Sequence, residues 1–464
     1  MRIGTGLHLV AAMAVATPAS GQVPQPRPAP TVASCEVKRP VLATAETLGV
    51  NVILNRSNAW LFGWEFGHVG PDSWADNLRR GFKWDGTQWG VNMFAHPYHG
   101  GLYFTTGRAN CLNFWESIPL VFLGSWTWEY FGETHRASLN DFYTTGLGGP
   151  AVGEILHRLS WTVLDEEARG VERIGRELVA TVINPVGGLN RLARGQWTRR
   201  GANPVDRVPA WHLLEMKIGT RWVEERDKPT GPQSGPTLLV DVELGDVFDT
   251  EYRAPYDVLD MRAQISSDGG LPNLLRTMGR LYGNELTTPD SRHRHQFLIN
   301  QRFVYVNNPV YNYGEHTVEA GLESRWRAGP EGAWITTRVG ADVVLLGAVE
   351  ALESGLGQRT VDWGPGLGAM TELALVHRGT TYLSAYSQVR LLRSVSGVPA
   401  QHTLLFTGAE LAIPITSWIG VGASVSADRR WSDYQSFPNT DRTYREARFY
   451  LTWTPARGTS GVAR

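Results

Sequence analysis

In the second half of the chain, apolar and polar residues alternate along many short segments. Between His316 and Trp326, for example, Val318, Ala320 and Leu322 are interleaved with polar residues or glycine. Because successive side chains of a strand point to opposite faces, each segment predicts a strand with one apolar and one polar face. We predict about twelve such strands. They lie at 216–222, 240–244, 257–265, 275–282, 297–305, 316–326, 335–345, 366–375, 382–391, 405–413, 419–428 and 445–453.

Two architectures accommodate this many amphipathic strands. A soluble sandwich or barrel buries the apolar faces, whereas an outer-membrane barrel turns them to lipid and keeps the polar faces inside. The even strand number and strand length of about ten residues favour the membrane barrel. The last strand ends in an aromatic residue, Trp453, which resembles the C-terminal signal of bacterial outer-membrane proteins, although a tail follows it. Tryptophans also stand near predicted strand ends, at Trp211, Trp222, Trp326, Trp334, Trp418 and Trp431.

The charge balance excludes one broad class of function. The chain of 464 residues has 44 Lys and Arg against 45 Asp and Glu, which gives a formal net charge of -1. Neutralising a nucleic-acid backbone needs a clustered basic excess. We therefore expect no nucleic-acid partner.

The N-terminus predicts export. Arg2 precedes an apolar run from Leu7 to Ala16, and the small residues Ala19-Ser20-Gly21 fit a cleavage site. We interpret 1–22 as a signal peptide and 23–40 as a Pro-rich linker. The two cysteines, Cys35 and Cys111, either pair in the oxidising periplasm or are unrelated buried thiols; the sequence leaves this open.

Between residues 41 and 200 the pattern changes to helices. We predict them at 43–58, 73–80, 113–131, 138–164 and 171–183. Ser138 and Asp141 have the spacing of a capping box. In the helix that follows, Gly146, Gly149 and Gly153 predict close approach of a second backbone. Glu116, Glu129 and Pro119 disfavour a lipid-exposed span at 113–131.

Several blocks in this half carry a resemblance to a known family. They are His96-Pro-Tyr-His99, Asn113-Phe-Trp-Glu-Ser117, Gly124-Ser-Trp-Thr-Trp-Glu-Tyr-Phe-Gly-Glu133, Asn140-Asp141, Gly148-Gly149 and Gly153-Glu154-x-x-His157-Arg158. From Trp89 to about Asn190 the chain resembles the bacterial family of domain of unknown function 3943, which implies no activity. Glu129, Glu133, Asp141, Thr145, Gly149 and Gly153 are more distantly similar to the acidic–glycine helical hairpin of VanZ-like proteins, with Thr145 where those usually have Asn.

The helical half also concentrates the residues able to do chemistry. A hydrolase would use His96 or His99 as base, oriented by a carboxylate of Glu129, Glu133 or Asp141, with Ser117 or Ser125 as nucleophile. Glu154-x-x-His157 has the spacing of one half of a carboxylate-bridged metal site. The ligand-binding candidates are Tyr98, Arg108, Asn113 and Glu116, with Arg108 able to pair with a headgroup phosphate. A hydrogen-bonded network that only holds helices together is the alternative for the histidines and carboxylates, and a surface or structural role is the alternative for Arg108.

The predicted fold class is α+β: a helical domain at 41–200, a transmembrane antiparallel barrel at 205–455 and a tail at 456–464. We predict an outer-membrane protein that binds or passes a lipid or small solute, with the helices on the periplasmic side or within the barrel. The alternatives are a lipid-modifying hydrolase and a structural scaffold of the envelope; whether the chain is an enzyme is left open, with a non-enzymatic role favoured. Phosphate-cradling loops, dinucleotide fingerprints and zinc cysteine spacings are not found in the sequence, so we expect no cofactor. The expected partners are membrane lipid and the barrel-assembly machinery, and the oligomeric state is open.

Overall fold

The computed structural model describes residues 37–86, 89–204, 207, 211–226, 231–267, 272–288, 291–307, 311–329, 332–351, 361–377 and 379–459. The chain divides into two compact units, one built of helices and one built of strands. The predicted signal peptide, Cys35, the first part of the linker and residues 460–464 of the tail lie outside the described residues. Cys111, the other cysteine, is disulfide-bonded.

The helical unit has seven α-helices within the described residues. In chain order they are α1 Pro40–Trp60, α2 Pro71–Arg80, α3 His96–Ala109, α4 Phe114–Thr127, α5 Leu139–Val163, α6 Gly170–Ile183 and α7 Pro185–Ala193. Short π-helical turns precede α3, at Val91–Ala95, and follow α4, at Trp128–Gly132. Within the described part of the chain, no helix combines the length and the apolar character needed to cross a bilayer.

Two helices, α3 and α7, are not anticipated from the sequence. Helix α3 contains Pro97, Gly100, Gly101 and Gly107, and glycine disfavours a helix by about 1 kcal/mol relative to alanine. Tertiary contacts compensate, because α3 packs along α5 through small residues. A Cβ added to Gly149 would lie 2.6 Å from the carbonyl carbon of Gly100, closer than real Cβ atoms come to backbone. The predicted backbone approach at the α5 glycines is confirmed, and its partner is this unpredicted helix.

The start of α5 corrects the predicted capping box. Ser138 accepts a hydrogen bond from the backbone N–H of Asp141, at 3.3 Å, as expected of an N-cap. The reciprocal bond comes from a different element, since the Ser138 N–H donates to Glu129 Oε2 at 2.7 Å. Glu129 lies in the π-helical turn after α4. The cap therefore ties two elements together rather than closing within one.

The second unit is a closed antiparallel barrel of twelve strands, as predicted. The strands are β1 Trp211–Glu225, β2 Gln233–Leu244, β3 Leu259–Ser266, β4 Leu274–Glu285, β5 His293–Asn307, β6 Asn312–Arg327, β7 Ala333–Glu350, β8 Val361–His377, β9 Thr380–Arg393, β10 Ala400–Pro414, β11 Ile419–Tyr434 and β12 Thr440–Thr459. Each pairs with its sequence neighbours, and β12 lies beside β1. Each of the twelve predicted segments overlaps one of these strands, although the segment 257–265 begins before β3. Most strands extend beyond the predicted bounds because the alternation weakens near the turns.

The barrel has its apolar rows outside and its polar rows inside. On β7, for example, Val339 and Val343 are 59% and 50% exposed, whereas Arg338 and Asp342, the residues that directly precede them, are buried. Bonds between distant strands show where the polar rows point. Arg262 on β3 donates to Glu410 on β10 at 3.0 Å, although four strands separate them along the shorter way around the barrel. An apolar exterior around a polar interior is the arrangement of a transmembrane barrel.

Candidate functional site

The predicted histidines and carboxylates of the helical unit come together, as a group that we call the acid–histidine cluster: His96, His99, Glu129, Glu133 and Asp141. His96 Nε2 lies 3.4 Å from Asp141 Oδ2, and its Nδ1 lies 3.2 Å from the Thr145 hydroxyl. His99 contacts the Tyr103 hydroxyl at 2.6 Å. Glu129 lies within the π-helical turn after α4, and Glu133 is the extended residue that follows this turn.

The charges of the acid–histidine cluster are mutually adjusted. Burial raises the pKa of Glu129 well above its usual range, and the neighbouring Asp141 and Glu133 raise it further. Burial also raises the pKa of Glu133, to about 7. For His96, burial disfavours the charge, but Asp141 outweighs it and the pKa is raised. His99 is held neutral, because burial and the charge of His96 lower its pKa to about 3. Burial and neighbouring charges therefore favour the neutral forms of Glu129, Glu133 and His99, and the cluster carries few charges for its number of titratable groups.

The geometry does not favour hydrolysis at this cluster. His96, Glu129 and Asp141 are buried, while His99 and Glu133 are half-buried. The candidate nucleophiles are engaged with backbone: Ser117 donates to the Asn113 carbonyl at 2.8 Å and Ser125 to that of Phe142 at 3.4 Å. This is the arrangement of a satisfied network between helices.

The predicted ligand-binding residues do not form one site. Asn113 and Glu116 form the capping box of α4, with Glu116 N–H donating to Asn113 Oδ1 at 2.9 Å and the reciprocal bond at 3.0 Å. Glu116 also accepts from Lys38 at 2.6 Å. Tyr98 and Arg108 lie ten residues apart on α3, which is roughly 15 Å along a helix. Only Arg108 reaches a cavity of the helical unit.

The Glu154–His157 pair is surrounded by arginines rather than by further ligands. Glu154 pairs with Arg108 Nε at 2.8 Å and with Arg158 Nε at 2.9 Å. His157 Nε2 lies 2.9 Å from Arg207 Nη1. No group of three or more His, Cys, Asp or Glu side chains within the described ranges is arranged to hold a metal ion. Glu154 and His157 therefore lie in a basic environment and not in a metal site.

That environment is a cavity of about 350 Å³, which we call the arginine cavity. It lies where the end of α3 meets α5, α6 and α7. Six arginines line it: Arg39, Arg108, Arg191, Arg194, Arg199 and Arg207. Sequence analysis identified only Arg108 and His157 among its lining residues. The available signal was the run of five arginines between Arg191 and Arg207, which the balanced net charge conceals.

The barrel lumen holds a second set of candidate groups. In its middle, Lys217, Asp241, Arg262 and Glu410 form an ion-pair network in which Lys217 Nζ lies 2.7 Å from Asp241 Oδ2 and also pairs with Glu410. Aromatic side chains fill the interior near the end of the barrel at which β10 and β12 begin, at Ala400 and Thr440. We call these the aromatic constriction: Tyr311, Tyr313, Phe406 and Tyr444. Tyr311 stacks on Tyr444 with ring centroids 4.5 Å apart, and Tyr313 packs on Phe406 at 5.0 Å.

The space inside the lumen narrows towards this constriction. Two cavities of about 290 Å³ each share Arg262 and Glu410 in their walls. The next is about 60 Å³, and the last, among the aromatic residues, is about 10 Å³. Successive cavities share lining residues, so they form one tapering series.

Residues 81–186 match the model of the family described as domain of unknown function 3943 (DUF3943). This agrees with the resemblance recognised in the sequence, while the likeness to VanZ-like proteins stays a prediction. No curated protein matches the chain.

Three solved structures each match about half of this chain. A TodX monoaromatic hydrocarbon channel mutant is 7% identical, with 54% of this chain and 92% of that one covered and a TM-score of 0.24. The NanC porin is 9% identical, with 50% and 98% covered and a TM-score of 0.24. An anion-selective porin from Comamonas acidovorans is 6% identical, with 52% and 99% covered and a TM-score of 0.22. Likenesses of this degree do not define what this chain carries or binds.

Proposed function

We propose that this protein is an outer-membrane barrel that forms a narrow passage for small polar solutes, closed at the aromatic constriction. The observation that carries the proposal is the tapering series of polar cavities. Its wide part is lined by charged groups from opposite walls, and its narrow part by aromatic rings. Charged side chains that line a pore are a general means of selecting solutes. Membrane lipid and the barrel-assembly machinery are the partners that such a location requires.

The charge network supports a polar rather than an apolar cargo. Lys217, Arg262, Asp241 and Glu410 hold both signs of charge at one level of the lumen. A hydrocarbon passing this level would strip water from these ions without replacing it, which costs several kcal/mol per ion. A polar solute exchanges hydrogen bonds with them instead. The hydrolase alternative has no comparable support, because the acid–histidine cluster is satisfied internally.

Conductance of the purified full-length protein in planar bilayers tests the passage. We expect low conductance for the unmodified protein and an increase of about threefold or more for Tyr444→Ala, because removing this ring widens the narrowest level. Phe449→Ala is the matched control: it removes an aromatic ring from the same strand, but Phe449 is on the barrel exterior, 57% exposed. Equal conductance of Tyr444→Ala, Phe449→Ala and the unmodified protein would contradict a passage closed at this constriction.

A further inference from the structure

The arginine cavity has more positive than negative charge on its walls. Glu166 is the one carboxylate among the described residues that line it. Arg191 is matched by acids, with Glu177 at 2.7 Å and Glu166 at 3.1 Å. Arg108 is matched by Glu154. Three further lining arginines, Arg39, Arg194 and Arg199, have no carboxylate of the described residues within 3.5 Å of the guanidinium group.

Their contacts are mostly to neutral groups. Arg194 donates to the Ala109 carbonyl at 2.7 Å and to Asn110 Oδ1 at 2.6 Å. Arg199 approaches Glu166 only to 3.8 Å and is about half exposed. Arg39 is exposed and forms no ion pair with any described residue. Among the described residues that line the cavity, guanidinium groups therefore outnumber carboxylates, and like charges repel one another, so the site favours an anion.

The neighbouring titratable groups respond to this positive potential. Burial lowers the pKa of Arg194, and the charge of Arg39 lowers it further, against the smaller opposing effect of the Glu46 carboxylate. His157 is buried in the wall, and burial together with the charges of Arg207, Arg108 and Arg158 lowers its pKa well below the ordinary value. A neutral imidazole accepts the hydrogen bond of Arg207, so His157 adds no charge and fixes one guanidinium.

The guanidinium groups are also held in place. The ring of Trp161 lies between two of them, with the Arg191 guanidinium carbon 5.0 Å and that of Arg207 5.1 Å from its centroid. Such stacking and the ion pairs behind Arg191 reduce the entropy that would be lost on binding. The wall is therefore preorganised for a ligand that accepts several hydrogen bonds from planar donors.

We propose that the arginine cavity is a binding site for a phosphate group carried by a small molecule or a lipid headgroup. A phosphate offers several acceptor oxygens and up to two negative charges to arginine donors. The cavity, at about 350 Å³, falls at the small end of the range for ligand pockets. It therefore has room for the phosphate and part of the group that carries it. This site is separate in role from the passage in the barrel and does not depend on it.

Binding is tested on the full-length protein in a non-ionic detergent by calorimetric titration with inorganic phosphate, pyrophosphate and soluble dihexanoyl phosphatidic acid. We expect saturable binding of at least one probe. The Arg39→Gln/Arg199→Gln variant should bind about tenfold more weakly or worse, because each hydrogen bond to a charged group contributes substantially to binding. Tighter binding of the lipid than of pyrophosphate would assign a headgroup, and the reverse a soluble phosphate.

The control is Arg79→Gln/Arg169→Gln, which removes two exposed arginines of the helical unit that do not line the cavity. It lowers the net charge equally, so it should leave the affinity unchanged. Far-UV circular dichroism and melting without ligand confirm that both double variants fold. No saturable binding of any probe, or equal weakening by the two double variants, would overturn the proposal. Conductance of the barrel is expected to be the same in both.

Discussion

The helical unit and the barrel place the same residue types in opposite ways. In the helical unit, glycines and apolar side chains let helices meet closely, and polar groups are buried as small bonded networks. In the barrel, aliphatic side chains face outward and arginines, lysines and acids meet across the interior. The difference follows from the surroundings: a helix satisfies its own backbone anywhere, whereas strands in lipid do so only by closing on each other. Apolar side chains thus form contacts between helices in the helical unit and the lipid-facing surface in the barrel.

The largest expected effect tests the close helix contact. Gly149→Val introduces a branched side chain at a position where even an added Cβ would lie 2.6 Å from the backbone of α3. We expect a loss of about 4 kcal/mol in the stability of the helical unit, because two backbones have to separate. Gly49→Val on α1 is the control, since nothing lies within 4 Å of an added Cβ there. Urea unfolding followed by circular dichroism measures the stability of both variants. Equal losses of stability would mean that the helix propensity of valine, and not the contact between α5 and α3, causes the effect.

A smaller effect concerns the buried charges of the helical unit. Burial raises the pKa of Glu133 from 4.5 to about 7. The folded protein therefore holds this proton more tightly than the unfolded chain, and the stabilisation is complete below pH 4.5 and lost as the pH rises to 7. Relative to Glu133→Gln, the unmodified protein should lose about 3 kcal/mol over this interval.

Glu116→Gln is the control for that pH dependence. Its hydrogen bond from Lys38 lowers the pKa of Glu116, so its contribution has the opposite sign and disappears as the pH falls. The comparison uses urea unfolding at several pH values. If Glu133→Gln and the unmodified protein have parallel pH profiles, the carboxyl is solvated rather than buried among like charges.

The smallest of the three effects tests the inside-out barrel. Val425 is 59% exposed on β11, and its neighbour Ser426 lines the lumen cavity of about 60 Å³. Val425→Lys should cost about 2 kcal/mol in lipid vesicles, because a charge enters the hydrocarbon, while Ser426→Lys should cost less than about 1 kcal/mol. Urea unfolding in vesicles gives both values. A larger cost for Ser426→Lys would reverse the assignment of the two faces.

The strands were the most predictable elements, because period-2 alternation is a local property of the sequence. Val318, Ala320 and Leu322 reveal one face of β6 without knowledge of any neighbour. Helix α3 was missed for the converse reason: its glycines and its proline argue against a helix, and only contact with α5 stabilises it. Of the sites, the acid–histidine residues were recognisable by type, but their engagement with one another was not. The arginine cavity was missed because its arginines come from three separate stretches of chain.

The sequence by itself determined the strand number, the two faces of each strand and the helical nature of the first half, since these depend on residues a few positions apart. The tertiary structure decided which charges meet. Glu410 reaches Arg262 only when all twelve strands have closed into the barrel. Arg39 and Arg199 line one cavity only when α1, α3 and α7 are packed. Coulombic energy depends on the distance between groups in space, and the order of residues along a chain does not contain that distance.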